Sequence, residues 1–319
     1  MTSASTNSSG TDVMPPPVDA DELDRSQLAS EIRVPSFGPP LPKPDRTRVL
    51  VVANQKGGVG KTTTSVNLAA ALAACGARVL VIDLDPQGNA STALGVEHHR
   101  GIPSIYESVV DGEPLAEFVH PVPGFPTLFA VPATIDLAGA ELELASVVAR
   151  ESRLKGVLNT YLAETTEAGQ RFDYVLIDCP PSLGLLTINA LVAGEEVLVP
   201  IQCEYYALEG VGALIQTVDL VRSQLNPGLD TTTVLLTMFD ARTRLSAQVA
   251  ENAREFLGDK VLKTAIPRSV RISEAPSFGQ TVMTWDPTSS GALSYLEAAR
   301  ELATQPPRSR SASALSSSQ

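Results

Sequence analysis

The segment Gln55-Lys56-Gly57-Gly58-Val59-Gly60-Lys61-Thr62-Thr63 follows an apolar, β-branched run and leads into a run rich in alanine and leucine. Glycines at a strand-to-helix junction let successive backbone N–H groups curl around one concavity. The helix start adds unsatisfied first-turn donors and a positive dipole end. Such a junction is shaped for a polyphosphate. Gly57, Gly58, Val59, Gly60 and Thr63 would supply the backbone cradle, Lys61 would reach the β- and γ-phosphates, and the Thr62 hydroxyl would ligate Mg²⁺. Two positions depart from the ordinary loop: Gln55 stands where a Gly is usual, and Lys56 immediately precedes the Gly pair.

A loop of this kind needs a parallel sheet behind it. Short β-branched runs at residues 49–53, 79–84, 127–131, 174–178, 197–201, 233–238 and 262–266 alternate with helical runs. Continuously apolar strands separated by helices predict an α/β fold with a single doubly wound, mostly parallel sheet covered by helices on both faces. Residues 61–75 read as the helix after the loop, ended by Gly76, because glycine tolerates the left-handed backbone of a helix C-terminus. Residues 1–45 and 304–319 are rich in Ser, Thr and Pro without a sustained apolar period, and read as disordered tails around a domain at 46–303.

Ligands of an open α/β sheet bind at the carboxyl ends of its strands. That rule gathers the loop, Asp83 and Asp85, Asp178, and the end of the 233–238 strand on one rim. Asp178 closes the run Val175-Leu176-Ile177 and reads as a carboxylate that serves Mg²⁺ through water. Asp83 and Asp85 alternate with Leu84, so an extended segment would point both to the same side; capping of a turn or helix stays open for each. Transfer of a phosphoryl group to water needs a cation on the β- and γ-oxygens, donors for developing charge, and a group that positions the water. The rim offers all three.

The loop has the deviant Walker A form. Three further stretches accompany it in order: Val81-Ile82-Asp83-Leu84-Asp85-Pro86-Gln87-Gly88-Asn89, Tyr174-Val175-Leu176-Ile177-Asp178-Cys179-Pro180-Pro181-Ser182, and Pro200-Ile201-Gln202-Cys203-Glu204-Tyr205-Tyr206-Ala207-Leu208-Glu209-Gly210. With these the chain resembles the ParA/Soj family of chromosome and plasmid partition ATPases, from about residue 46 to 303. The resemblance implies a P-loop NTPase fold, ATP and Mg²⁺ as ligands, and an ATP-bound homodimer. It also implies a ParB-type adaptor that stimulates hydrolysis, non-specific double-stranded DNA as a further partner, and a cytoplasmic, nucleoid-associated location. Asp85 matches the carboxylate that orients or activates water, with Asp83 nearer the metal shell. Lys56 matches a lysine that crosses to the nucleotide of the partner subunit, acting like an arginine finger supplied in trans. Arg242 and Arg271 match arginines that support DNA binding, and Arg268 lies in the same basic stretch. Met238 and Pro267 are placed to flank adenine, with core packing equally open.

A formal net charge of −12 speaks against a nucleic-acid partner if charge is spread evenly. It is not: residues 242–271 carry seven basic side chains against Glu251, Glu255 and Asp259, a local +4. Salt screens charges beyond about 8 Å at physiological ionic strength, so a basic face can act apart from a distant acidic surface. Other readings of the loop fare worse. A MinD-like membrane cycler needs a C-terminal amphipathic helix, whereas residues 308–319 are serine-rich with Leu315 as the one large apolar residue. A redox or cluster carrier resembling the nitrogenase iron protein or Mrp needs paired cysteines, and Cys75, Cys179 and Cys203 are far apart. A tyrosine kinase of this loop class would carry a Tyr-rich tail. His98, His99 and His120 lack zinc-ligand spacing. No run of about 18 apolar residues and no secretory leader is present, so no membrane partner and a cytoplasmic location are expected.

Overall fold

Val49, Leu50, Val51 and Val52 are apolar on both faces of their strand, and such a run is stable only where helices cover it twice. They form the body of β1 (Arg48–Val52), buried in the middle of an eight-stranded sheet. The computed structural model describes residues 37–204 and 209–305. After β1 come α1 (Lys61–Ala74), β2 (Val79–Asp83), α2 (Asn89–Ala93), β3 (His120–Pro121), β4 (Leu128–Val131), α3 (Ala140–Glu143), α4 (Arg153–Glu167) and β5 (Tyr174–Asp178). The second half holds α5 (Leu185–Ala193), β6 (Glu196–Gln202), α6 (Glu209–Gln224), β7 (Asp230–Phe239), α7 (Arg244–Leu257) and β8 (Val261–Pro267). It closes with α8 (Val270–Glu274), α9 (Val282–Trp285) and α10 (Ser290–Thr304).

The strand order is β3-β4-β2-β5-β1-β6-β7-β8, parallel throughout except for the β3–β4 edge. The doubly wound sheet and all seven expected strands are present. The short β3 carries no periodic signal, because two residues cannot show one. Val49 and Val51 face a core built with Leu158 of α4, Leu191 of α5, Leu214 of α6 and Ala250 of α7. Leu50 and Val52 face the other core, with Leu68 and Leu72 of α1 and Leu296 and Leu302 of α10. Each such side chain taken from water stabilises the fold by about 1.5–3 kcal/mol before entropy is counted. Ala69, Ala70 and Ala71 are wholly buried and let α1 lie close to the sheet. Gly76 ends that helix at φ +88°, as its sequence position predicts.

Register fixes the functional rim. Val52 pairs with Asp178 and Asp83 also pairs with Asp178, so the loop after β1 and the two carboxylates leave adjacent strands at one level. At the opposite end, Arg48 donates from Nε and Nη2 to the two Glu196 oxygens, each at 2.7 Å. Its Nη1 donates to the Leu302 carbonyl at 2.8 Å, so one buried guanidinium joins β1, β6 and α10.

Residues 37–45, expected in the tail, lie on the domain. Phe37 and Leu41 pack against the α1/α10 core, Leu41 N–H donates to the Cys75 carbonyl at 3.1 Å, and Arg300 donates to the Phe37 carbonyl at 2.9 Å. Backbone hydrogen bonds and two isolated apolar side chains among prolines leave no periodic trace. The remainder of both expected tails, 1–36 and 306–319, and the 205–208 part of the fourth motif lie outside the described residues.

Candidate functional site

The loop between β1 and α1 turns through left-handed glycines, Gly58 at φ +73° and Gly60 at φ +88°, a region other residues avoid. A Cβ placed on Gly57 or Gly58 would meet nothing within 4 Å, so the loop faces open space. Lys61 is buried, with Nζ 3.5 Å from the Lys56 carbonyl. Burial lowers its pKa, against the opposing pull of Asp178 and Asp85. Thr62 Oγ1 donates to Asp178 Oδ2 and Ser65 Oγ to Asp178 Oδ1, both at 2.7 Å. Ser65 escaped the sequence reading; its one signal is a position four residues after Lys61, on the same helical face.

Asp178 is fully buried, and burial followed by the neighbouring Asp83 charge pushes its carboxyl up to about 7. Asp83 is likewise raised to about 6 by burial, although the Ser91 hydrogen bonds pull the other way. Asp83 Oδ2 accepts from Ser91 N–H at 2.8 Å and Ser91 Oγ at 2.7 Å, and Oδ1 accepts from Asp85 N–H at 3.2 Å. Both oxygens therefore accept hydrogen bonds from the segment that follows, the capping role that the sequence left open for Asp83. Asp85 lies nearer the opening at 7 % exposure, against 1 % for Asp83, and its Oδ1 accepts from Gln87 N–H at 3.0 Å.

These residues suit a divalent cation carried by a polyphosphate. Two buried carboxyls with raised pKa values crowd one rim beside the Thr62 hydroxyl and the open loop. Among the described residues no three His, Cys, Asp or Glu side chains converge as a metal site. Cys75, Cys179 and Cys203 are each buried and free.

Lys56 sits half-buried at the loop mouth, its N–H donating to Asn54 Oδ1 at 3.0 Å while Asn54 Nδ2 donates to the Pro200 carbonyl at 2.8 Å. Met238 and Pro267 are half-buried at the ends of β7 and β8, and Met238 adopts φ +50°, strained for a side chain with a Cβ.

Arg242, Arg268 and Arg271 are exposed, with side-chain exposures of 87 %, 59 % and 56 %. None stands alone. Arg242 donates bidentately to Asp240 at 2.9 and 2.8 Å, Arg268 donates to Glu204 at 3.0 Å, and Arg271 lies 3.2 Å from Glu274 and 3.4 Å from Asp286. The +4 counted along residues 242–271 is thus not a +4 in space, because each arginine meets a carboxylate from outside that window.

Residues 47–231 match the AAA domain family AAA_31. The chain is 51% identical over 256 residues to the sporulation initiation inhibitor protein Soj of Bacillus subtilis, covering 80% of this chain and 98% of that protein. It is 49% identical over 255 residues to the chromosome partitioning protein ParA of Myxococcus xanthus, covering 80% and 87%. A Mycobacterium smegmatis protein described as cobyrinic acid a,c-diamide synthase, solved with ADP and magnesium, superposes with a TM-score of 0.67 at 38% identity, over 79% of this chain and 92% of that one. The deviant loop, the carboxylates brought to its rim and this extent of identity make the chain a member of the ParA/Soj family of chromosome-partitioning ATPases.

Proposed function

We propose that the chain is the Mg²⁺-dependent ATPase of a chromosome or plasmid partition system, working as an ATP-bound sandwich dimer that holds DNA without sequence preference. A ParB-type adaptor would stimulate hydrolysis and so release the dimer from the nucleoid. The observation that carries this reading is the convergence of Lys61, Thr62, Asp85 and Asp178 on one rim beside a loop with two lysines.

When bound, Mg²⁺ would be held by Thr62 and served by Asp178, and would neutralise charge on the β- and γ-oxygens. Lys61 meets the phosphates as a buried ammonium, where the low dielectric strengthens its attraction. The Ser65 and Thr62 hydroxyls hold both Asp178 oxygens in place, and the Asp83–Ser91 bonds fix the turn that carries Asp85. Asp85 orients a water toward the γ-phosphate and accepts its proton. Lys56, at the loop mouth, reaches the second subunit's nucleotide and stabilises charge only in the dimer. ADP lacks the bridging γ-phosphate, so nucleotide state and dimer state are linked. Arg242, Arg268 and Arg271 offer phosphate contacts, which position a duplex without reading its sequence.

Light scattering of the parent and two variants tests the assignment. With ATP, Asp85→Ala should accumulate as a dimer that fails to turn over, while Lys56→Ala should stay monomeric. A monomeric Asp85→Ala protein, or an unimpaired Lys56→Ala dimer and ATPase, would contradict it.

A further inference from the structure

We infer that Thr237, near the carboxyl end of β7, is a positioning residue that sets the phosphate loop in its nucleotide-binding shape; the inference rests on the reading of that loop as the ATP site. Its hydroxyl Oγ1 donates to the Val59 carbonyl at 2.8 Å, across 178 residues of chain. Thr237 is 3 % exposed, and a Cβ on Gly60 would stand 3.7 Å from its methyl group, so Thr237 lies flush against the loop. Its own backbone is held: Thr237 pairs with Gln202 of β6, and its carbonyl accepts from Cys203 N–H at 3.1 Å. A β-branched side chain on a clamped strand has little χ1 freedom, so the hydroxyl is a fixed donor.

The consequence follows from the planarity of the peptide bond. In the trans Val59–Gly60 unit the carbonyl and the Gly60 N–H point in opposite directions. Holding the Val59 oxygen toward β7 turns the Gly60 N–H away from β7, to the side where the loop is open. Without that hold, a loop with left-handed glycines on both sides of Val59 is free to flip the peptide and present an oxygen to the phosphates. An inward oxygen would repel the polyphosphate that an inward N–H attracts. Val59 itself is buried, which anchors the unit between its two flexible neighbours. Thr237 touches no phosphate in this account; it acts through Val59 and Gly60.

Two substitutions separate the hydroxyl from the packing. Thr237→Val keeps the shape and removes the donor, and Thr237→Ser keeps the donor and removes the methyl group. Titration of a fluorescent ADP and a fluorescent ATP analogue, each with Mg²⁺, should show Thr237→Val weakened about ten-fold, equivalent to about 1.4 kcal/mol. Thr237→Ser should stay within about three-fold of the parent. Steady-state ATPase should show the Val variant's loss in KM, with kcat kept at saturating ATP, since the preset shape belongs to the ground state. In the parent, the Gly60 amide resonance should move on ADP addition. Equal affinities for Val and parent, Val and Ser weakened alike, or a Gly60 resonance that stays still would each overturn the inference. Should Thr237→Val fail to fold, Thr237→Ala takes its place, and a Gly60 resonance that stays still in the parent overturns the inference by itself. A parent that binds no nucleotide would instead sink the ATP-site reading itself.

Discussion

The exposed arginines make the proposed DNA binding quantitative. If Arg242, Arg268 and Arg271 each neutralise one phosphate, an ATP dimer makes six contacts, and log K should fall against log salt with a slope of about −5. Between 50 and 200 mM salt that costs about 10³-fold in affinity. Removing Arg242 from both subunits leaves four contacts, a slope of about −4, and a loss of about 10²-fold over the same range. The structure adds a second arm. Asp240 is held at about 2 by its hydrogen bonds from Arg242, so it stays ionised at any physiological pH and competes with phosphate for that guanidinium. Asp240→Asn should therefore tighten DNA binding at low salt while Arg242→Ala weakens it. Fluorescence anisotropy on two unrelated duplexes, with ATP and with ADP, across at least four salt concentrations reads both effects. A slope unchanged in Arg242→Ala, a change confined to one duplex, or weaker binding by Asp240→Asn would refute the reasoning.

Two predictions concern the scaffold. Arg48→Met leaves the buried Glu196 carboxylate without its bidentate guanidinium and should lower stability by about 3 kcal/mol or more; Arg48→Met with Glu196→Leu should recover most of this. Urea unfolding measures both, a single-variant loss below about 1 kcal/mol would count against the argument, and nucleotide affinity should hold because this pair lies at the opposite end of β1. The second concerns pH. Asp178 and Asp83 are raised from 3.8 to about 7 and about 6, so the folded chain keeps their protons longer than the unfolded chain does. Their stabilising contribution is complete below the unfolded value and is lost as pH climbs through 6 to 7. The advantage of nucleotide-free Asp178→Asn over the parent should thus grow from pH 5 to 8, and a constant difference in Tm would exclude this coupling.

Much of the site was legible because a phosphate loop writes its needs locally: glycines where the backbone must turn left-handed, lysine and threonine where helix α1 begins. Asp178 was legible for a related reason, standing where a wholly apolar strand ends. The residues that sequence missed act across the fold. Ser65, Ser91, Asn54 and Thr237 are ordinary polar residues along the chain and acquire roles only where sheet register and helix packing set them beside a carboxylate or a carbonyl. The basic window misled in the opposite direction, since Asp240, Glu204, Glu274 and Asp286 approach its arginines from outside it. Alternation along residues 83–85 could not show that Asp83 is tied by Ser91 and the Asp85 N–H while Asp85 lies nearer the opening, because Ser91 comes to Asp83 only through the fold of the following turn.

The clip formed by residues 37–45 bears on where this domain can be cut. A chain started at residue 46, where the motif-bearing region begins, would strip Leu41 from the Cys75 carbonyl at the end of α1 and Phe37 from Arg300 on α10. It would also remove Lys43 from the buried Asp173, whose own oxygen accepts from Arg78 N–H at 2.8 Å. These contacts close the α1/α10 side of the molecule, behind the helix that carries Lys61 and Thr62. Residues 37–45 therefore belong to the folded body, and a version begun at residue 46 should unfold at lower urea than one that keeps them.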